Sequence, residues 1–280
     1  MQLLFLLKRF LGKLIRSFCQ LLYLVFVGLP VGVLTLIFPS RNRALHREIK
    51  KGILSLLGLI YVSLRQYKKA INFFQKSLPI YQELKDRKGE ANVLNDLGDA
   101  YKNLGQYERA IDFHERSLRI CQELKNRKGE ADVLKNLGNV YYLLEQYQRA
   151  INFYEQSLPI YQELKDRKGE AISLNNLGIA YHNLGQYERG INFYQQSLPI
   201  YQELKYRKWE GTVLNNLGNV YNSLGQYERA INFYQQSLTI QQKLKNRKGE
   251  ADVLNNLGFA YHQLGQYERA INFYQQSLPI

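Results

Sequence analysis

The chain has 280 residues, 45% of them apolar, and a formal net charge of +14. Its two cysteines, Cys19 and Cys121, exclude a disulfide framework, and no Cys/His spacing of a metal site occurs. The charge is uneven: residues 1–51 hold nine Lys/Arg against one Glu, which leaves the remainder only mildly basic and argues against nucleic acid as a partner.

Residues 1–17 place Lys8, Arg9, Lys13 and Arg16 on one side of a helical wheel, with Leu4, Leu7, Leu11 and Leu14 opposite. That pattern predicts a basic amphipathic helix suited to an anionic lipid surface. Residues 18–38 then run without a charge, long enough for a single-pass membrane anchor. The run is too long for the core of a secretory signal, and no small-residue cleavage site follows it. Four basic residues precede it and five follow, so the positive-inside rule gives no orientation. We place the remainder on the cytoplasmic side. Pro30 between Gly28 and Gly32 leaves a re-entrant hairpin as the alternative, against the cost of unpaired backbone in lipid. Residues 39–50 read as a basic linker.

From residue 51 the chain repeats itself every forty residues. Glycine recurs at Gly58, Gly98, Gly138, Gly178, Gly218 and Gly258, and tyrosine three residues after each. A small residue recurs at Ala70, Ala110, Ala150, Gly190, Ala230 and Ala270. Such a period marks a stacked-repeat protein. In one unit Leu214, Leu217, Val220 and Leu224 form a helical stripe, Gly225 breaks it, and Tyr227, Ala230, Tyr234 and Leu238 form a second. Gly218 and Ala230 let the two backbones come close. The units are 51–84, 89–124, 129–164, 169–204, 209–244 and 249–280. Pro79, Pro159, Pro199 and Pro279 are expected to kink the second helices, which resume at Ile-Tyr-Gln-Glu-Leu. The last unit carries no polar cap, so its end is expected to be a fragment boundary or to be covered by a partner or a second copy.

The glycine, tyrosine and alanine positions resemble the tetratricopeptide repeat. The motifs LNNLG, GQYERA and SLPIYQELK look most like the forty-residue branch found in kinesin light chains and Pins/Rapsyn. Arg65 and Glu145 depart from the turn glycine, Gly190 from the packing alanine, and His114 from the aromatic position. The resemblance implies an all-α, right-handed solenoid of six helix-turn-helix units. It also implies a non-enzymatic scaffold whose first helices line a concave groove for an extended segment of a partner protein.

The residues off the apolar stripe of those helices are mostly amides, which both donate and accept hydrogen bonds. The resemblance assigns peptide gripping to Asn95, Asn136, Asn139, Asn175, Asn176, Asn215, Asn216, Asn219, Asn255 and Asn256. Lys135 and Asp96 interrupt the series and would add charge preference, and His182 and His262 stand at the rim. These two histidines are two repeats apart, too far for a shared metal. His114 is expected to pack between helices.

The turns KDRKGE and KNRKGE form a basic edge that suits the carboxyl ends of the preceding helices. Tyr206, Arg207 and Trp209 make one turn unlike the rest, a candidate surface contact. Two other readings stay open: self-association through the C-terminal end, and a basic surface for lipid or RNA. No phosphate loop or nucleophile–base set points to an enzyme or a cofactor.

Overall fold

The computed structural model describes residues 43–278. The helix expected over 1–17 and the anchor expected over 18–38 lie outside the described residues. Among those described, no helix is long and apolar enough to cross a membrane. The chain divides into two compact units after Gly52, and the second, Ile53–Ile280, holds the repeats.

Twelve helices follow one another among the described residues, with no strand. They are α1 (Arg43–Ser63), α2 (Tyr67–Glu83), α3 (Arg87–Asn103), α4 (Tyr107–Glu123), α5 (Arg127–Leu143) and α6 (Tyr147–Glu163). Then come α7 (Arg167–Asn183), α8 (Tyr187–Glu203), α9 (Arg207–Ser223), α10 (Tyr227–Lys243), α11 (Arg247–Gln263) and α12 (Tyr267–Ser277). Helix α1 begins inside the segment read as a linker. The first helix of each later unit starts two residues before the boundary drawn from sequence, and in three of these five units the residue ahead of the arginine caps it with its side chain. Asp86, Asn126 and Asp166 accept the backbone N–H of Gly89, Gly129 and Gly169 at 2.9–3.1 Å, satisfying a donor that a helix start leaves orphaned.

Every helix from α2 to α11 ends the same way. Gly225 N–H donates to the Asn222 carbonyl and Gln226 N–H to that of Tyr221, the crossed pair of a Schellman turn. The residue at the crossing must take a positive φ. Within units that residue is Gly105, Gly185, Gly225 or Gly265, at φ 71–78°, or Glu145, at φ 58°, but between units it is always lysine, as at Lys165, φ 53°. The turn lysines therefore bear backbone strain that glycine would not.

Inside a unit the aromatic residues form fixed layers. Tyr61–Phe73, Tyr101–Phe113, Tyr141–Phe153, Tyr181–Phe193, Tyr221–Phe233 and Tyr261–Phe273 stack with centroids 5.2–5.3 Å apart. The arginine before the packing small residue lies over the tyrosine ring in five units, as Arg189 does over Tyr181 at 5.6 Å. The recurring glycine serves a ring as well as a backbone. A Cβ on Gly218 would stand 2.4 Å from Tyr234 Cε1, and one on Gly190 would stand 3.1 Å from the Gly178 carbonyl. Both approaches need a residue without bulk.

Helices α2, α6 and α8 are continuous through Pro79, Pro159 and Pro199, so they do not stop and resume there; Pro279 lies outside the described residues. Each of the other three prolines sits on the exposed side of its helix, where the carbonyl left without a donor can turn to water.

Candidate functional site

Successive first helices α3, α5, α7, α9 and α11 touch one another, whereas no two second helices do among the described residues. The first helices are therefore the closely spaced inner row of the stack, and their polar faces form one continuous strip.

Most of the predicted amides lie on that strip, and they bond to one another. Asn136 Nδ2 donates to Asn95 Oδ1 at 3.0 Å and to Asp99 Oδ2 at 3.2 Å. Asn176 Nδ2 donates to Asn139 Oδ1 at 3.1 Å, and Asn216 Nδ2 to Asn175 Oδ1 at 3.4 Å. Asn256 Nδ2 donates to Asn215 Oδ1 at 3.0 Å and Asn219 Oδ1 at 3.2 Å. One rule covers all four: the second amide of a unit reaches back to the first amide, or to the residue four further on, in the preceding unit. Tyr154 and Tyr234 hydroxyls close the network onto Asn139 and Asn219 at 2.8 Å. Asn255 accepts from Ser277 Oγ at 2.8 Å.

The amides thus have a structural duty between units that sequence reasoning missed, and they keep capacity in reserve. The Oδ1 atoms of Asn136, Asn176, Asn216 and Asn256 accept nothing from the protein, yet none is both fully buried and unsatisfied. Those oxygens reach solvent along the strip. A row of free acceptors at forty-residue spacing suits the N–H groups of an extended chain.

Asp96 is the exception at that register. An ionised carboxylate cannot donate, and the preceding unit offers Ser55 and Leu59 where later units offer amides. Burial, and next the charge of Asp99, pushes the Asp96 carboxyl up to about 7. Asp99 was missed from the sequence; it accepts from Lys102 Nζ at 2.5 Å as well as from Asn136. Lys135 lies 3.5 Å from Asp132 on its own helix.

His114 is fully buried, as expected, with Nδ1 3.1 Å from Asn95 Oδ1 and Nε2 unpartnered. Burial lowers it to about 4. His182 Nε2 lies 3.0 Å from Ser223 Oγ, and burial lowers its pKa. His262 is exposed, edge-on to Tyr267 at 5.4 Å. No group of three His, Cys, Asp or Glu able to hold a metal occurs among the described residues.

The turn arginines answer carboxylates rather than the preceding helix end. Arg87 bonds Glu90 at 2.7 Å in its own helix and Glu123 at 2.5 Å at the end of α4; Arg127 and Arg167 repeat the arrangement with Glu163 and Glu203. Their signal in the sequence is the thirty-six-residue Arg–Glu spacing. Arg207 keeps only Glu210, since Lys243 stands at the far position. Tyr206 provides no side-chain cap, and half-exposed Trp209 stacks on buried Tyr201 with centroids 6.1 Å apart. The Tyr201 hydroxyl has no partner, because Ile172 stands where Asp132 receives the Tyr161 hydroxyl at 2.7 Å.

These stacked helix pairs have the architecture of the tetratricopeptide repeat. A sequence profile described as Tetratricopeptide repeat matches residues 52–123, 89–163, 129–203, 169–243 and 209–280. The chain belongs to the tetratricopeptide-repeat family. Among solved structures it is similar to BtubC (BKLC) from P. vanneervenii, with 22% identity over 75% of this chain and 89% of that one, TM-score 0.68. A putative kinesin light chain of Podosopora anserina with nearly identical TPR-like repeats shows 18% identity over 73% of this chain and 99% of that one, TM-score 0.60. A Rap protein complexed with Competence and Sporulation Factor shows 14% identity over 82% and 74%, TM-score 0.62. A search of curated protein sequences gives no match.

Proposed function

We propose that the chain is a non-enzymatic protein-interaction scaffold, held at a membrane by residues 18–38, whose inner strip of first helices binds an extended segment of a partner protein. The observation that carries this reading is the row of unspent amide oxygens on Asn136, Asn176, Asn216 and Asn256. Backbone hydrogen bonds to such a row grip a peptide with little regard for its sequence. Asp96, Asp99 and Lys135 add charge at one end. A Rap protein of the same fold is complexed with Competence and Sporulation Factor, which is a parallel for partner binding on this architecture.

The test is to pan a random peptide library displayed on phage against the full chain in detergent micelles. Selected peptides should lose at least about tenfold in affinity to the double variant Asn176→Ala/Asn216→Ala, since loss of a few central contacts dominates binding. An unchanged affinity in a variant whose helicity is intact would reject the strip as the binding surface.

Self-association through the last unit is a second reading, and one observation favours it. Ile271 is 53% exposed, whereas its counterparts Ile71, Ile151 and Ile231 are 0–7% exposed and Ile111 and Ile191 are half-buried. The full chain should sediment as an oligomer that Ile271→Lys dissociates; a wild-type monomer would end this reading.

A further inference from the structure

Each second helix from α2 to α10 packs against the first helix of the next unit, and one set of positions makes every joint. At the last joint Ile231 and Tyr234 of α10 lie in one apolar cluster with Val253, Leu257, Ala260 and Tyr261 of α11. The positions of Val253 and Ala260 are 0–2% exposed in every unit from the second onward. The position of Tyr234 is 0–2% exposed in every second helix from α2 to α10.

Two faces lack that cover among the described residues. On α12, Tyr274 is 36% exposed, and Ile271 and Leu278 are exposed beside it. On α1, Ile53 and Ile60 hold the places of Val253 and Ala260 but are only half-buried. The first face is a second helix with no first helix on it, and the other is its converse. We propose that they meet: α12 of one copy of the chain receives α1 of a second copy, in the register of the internal joints.

The residues at that register identify the occupant. At internal joints the second amide of a first helix reaches back to two places in the preceding unit, as Asn256 does to Asn215 and Asn219. Between copies, the place of Asn256 falls to Leu56, and the two places it reaches fall to Asn255 and Phe259. Asn255 already accepts from Ser277 Oγ, and Phe259 is 45% exposed. An asparagine at that register would set an amide on the phenyl ring, whereas Leu56 sets an apolar side chain there. An apolar pair thus stands where the internal joints have an amide pair, and its burial favours the contact. One polar bond is repeated as well. Gln75 Nε2 donates to the Tyr101 hydroxyl at 3.1 Å across the first joint, and Gln275 and Tyr61 hold the same two places between copies.

Self-association through the last unit is the reading on which this contact rests; α1 is the surface it adds. Each copy contributes a different patch, so the contact is heterologous, and complementation tests it. Full-length chain is followed by sedimentation velocity with detergent micelles in excess, in variants whose helicity is intact. Ile271→Lys loses the α12 face and Ile53→Lys the α1 face, so each alone should be monomeric. Mixed one to one they should form a pair, because each supplies the face that the other lacks. Leu56→Asn brings in the residue of the later units, which preserves the fold, and should weaken association at least about tenfold; it carries the test of α1 if Ile53→Lys does not fold. An oligomer that Ile271→Lys dissociates but both α1 variants leave intact joins two α12 faces, which overturns the assignment of α1 and leaves self-association standing. No pair in the mixture also overturns that assignment, and a monomeric wild type overturns both.

Discussion

Asp96 is the residue whose chemistry departs furthest from its register. Its folded pKa of about 7 lies above the ordinary 3.8, so folding takes up a proton between those values. The stability it contributes is full below about pH 4 and is lost as pH rises through about 7. Asp96→Asn restores the amide of the later units and should raise stability by roughly 2 kcal/mol at pH 8 and little at pH 4, as read from urea denaturation at both values. His114 acts with the opposite sign. Lowered from 6.5 to about 4 by burial, it contributes stability that is present above pH 6.5 and lost as pH falls through about 4. His114→Phe should therefore flatten the acid limb of the profile. The two buried tyrosines give a paired test. Tyr161→Phe loses its bond to Asp132 and should cost about 1 kcal/mol, whereas Tyr201→Phe removes an unpaired hydroxyl and should cost nothing or stabilise.

At the scale of the element, the turns decide where helices stop. Gly225→Ala puts a Cβ at φ 71° and should destabilise by about 1 kcal/mol. Lys165→Gly, at φ 53°, relieves a strained lysine and should be neutral or stabilising by up to about 1 kcal/mol. Thermal melts of the two variants check both signs. The helices, their order and the within-unit turns were legible in the sequence because apolar spacing and glycine report directly on local geometry. The left-handed lysines were not, since lysine carries no turn signal and only the hydrogen-bond pattern around it reveals the conformation. The unbroken passage through Pro79, Pro159 and Pro199 depended on which side of the helix each ring would face, and that is a property of packing.

At the scale of the molecule, neighbouring units are joined by two polar ladders, one of amides along the inner row and one of Arg–Glu pairs at the turns. The asparagine positions of the candidate site were legible in the sequence, because a polar face at helical spacing recurs with the unit. Their bonding was not, since the donor and acceptor of each pair, as in Asn136 and Asn95, sit forty-one residues apart and only the stack brings them together. Each amide pair should count in the stability of the stack, as expected where neighbouring units are coupled only pairwise. Asn136→Leu should cost roughly 1–2 kcal/mol, with the loss of both its bonds outweighing any apolar gain.

Partner binding along the inner row can be measured against a control that the chain itself carries. Side-chain amide resonances of Asn136, Asn176, Asn216 and Asn256 report on that row, and those of Asn152, Asn192 and Asn232 report on the exposed face of the second helices. Full-length chain with 15N-asparagine is followed by NMR as a library-selected peptide is added. The expected result is saturable shifts in the first set with the second unchanged. Shifts confined to the second set would contradict the account.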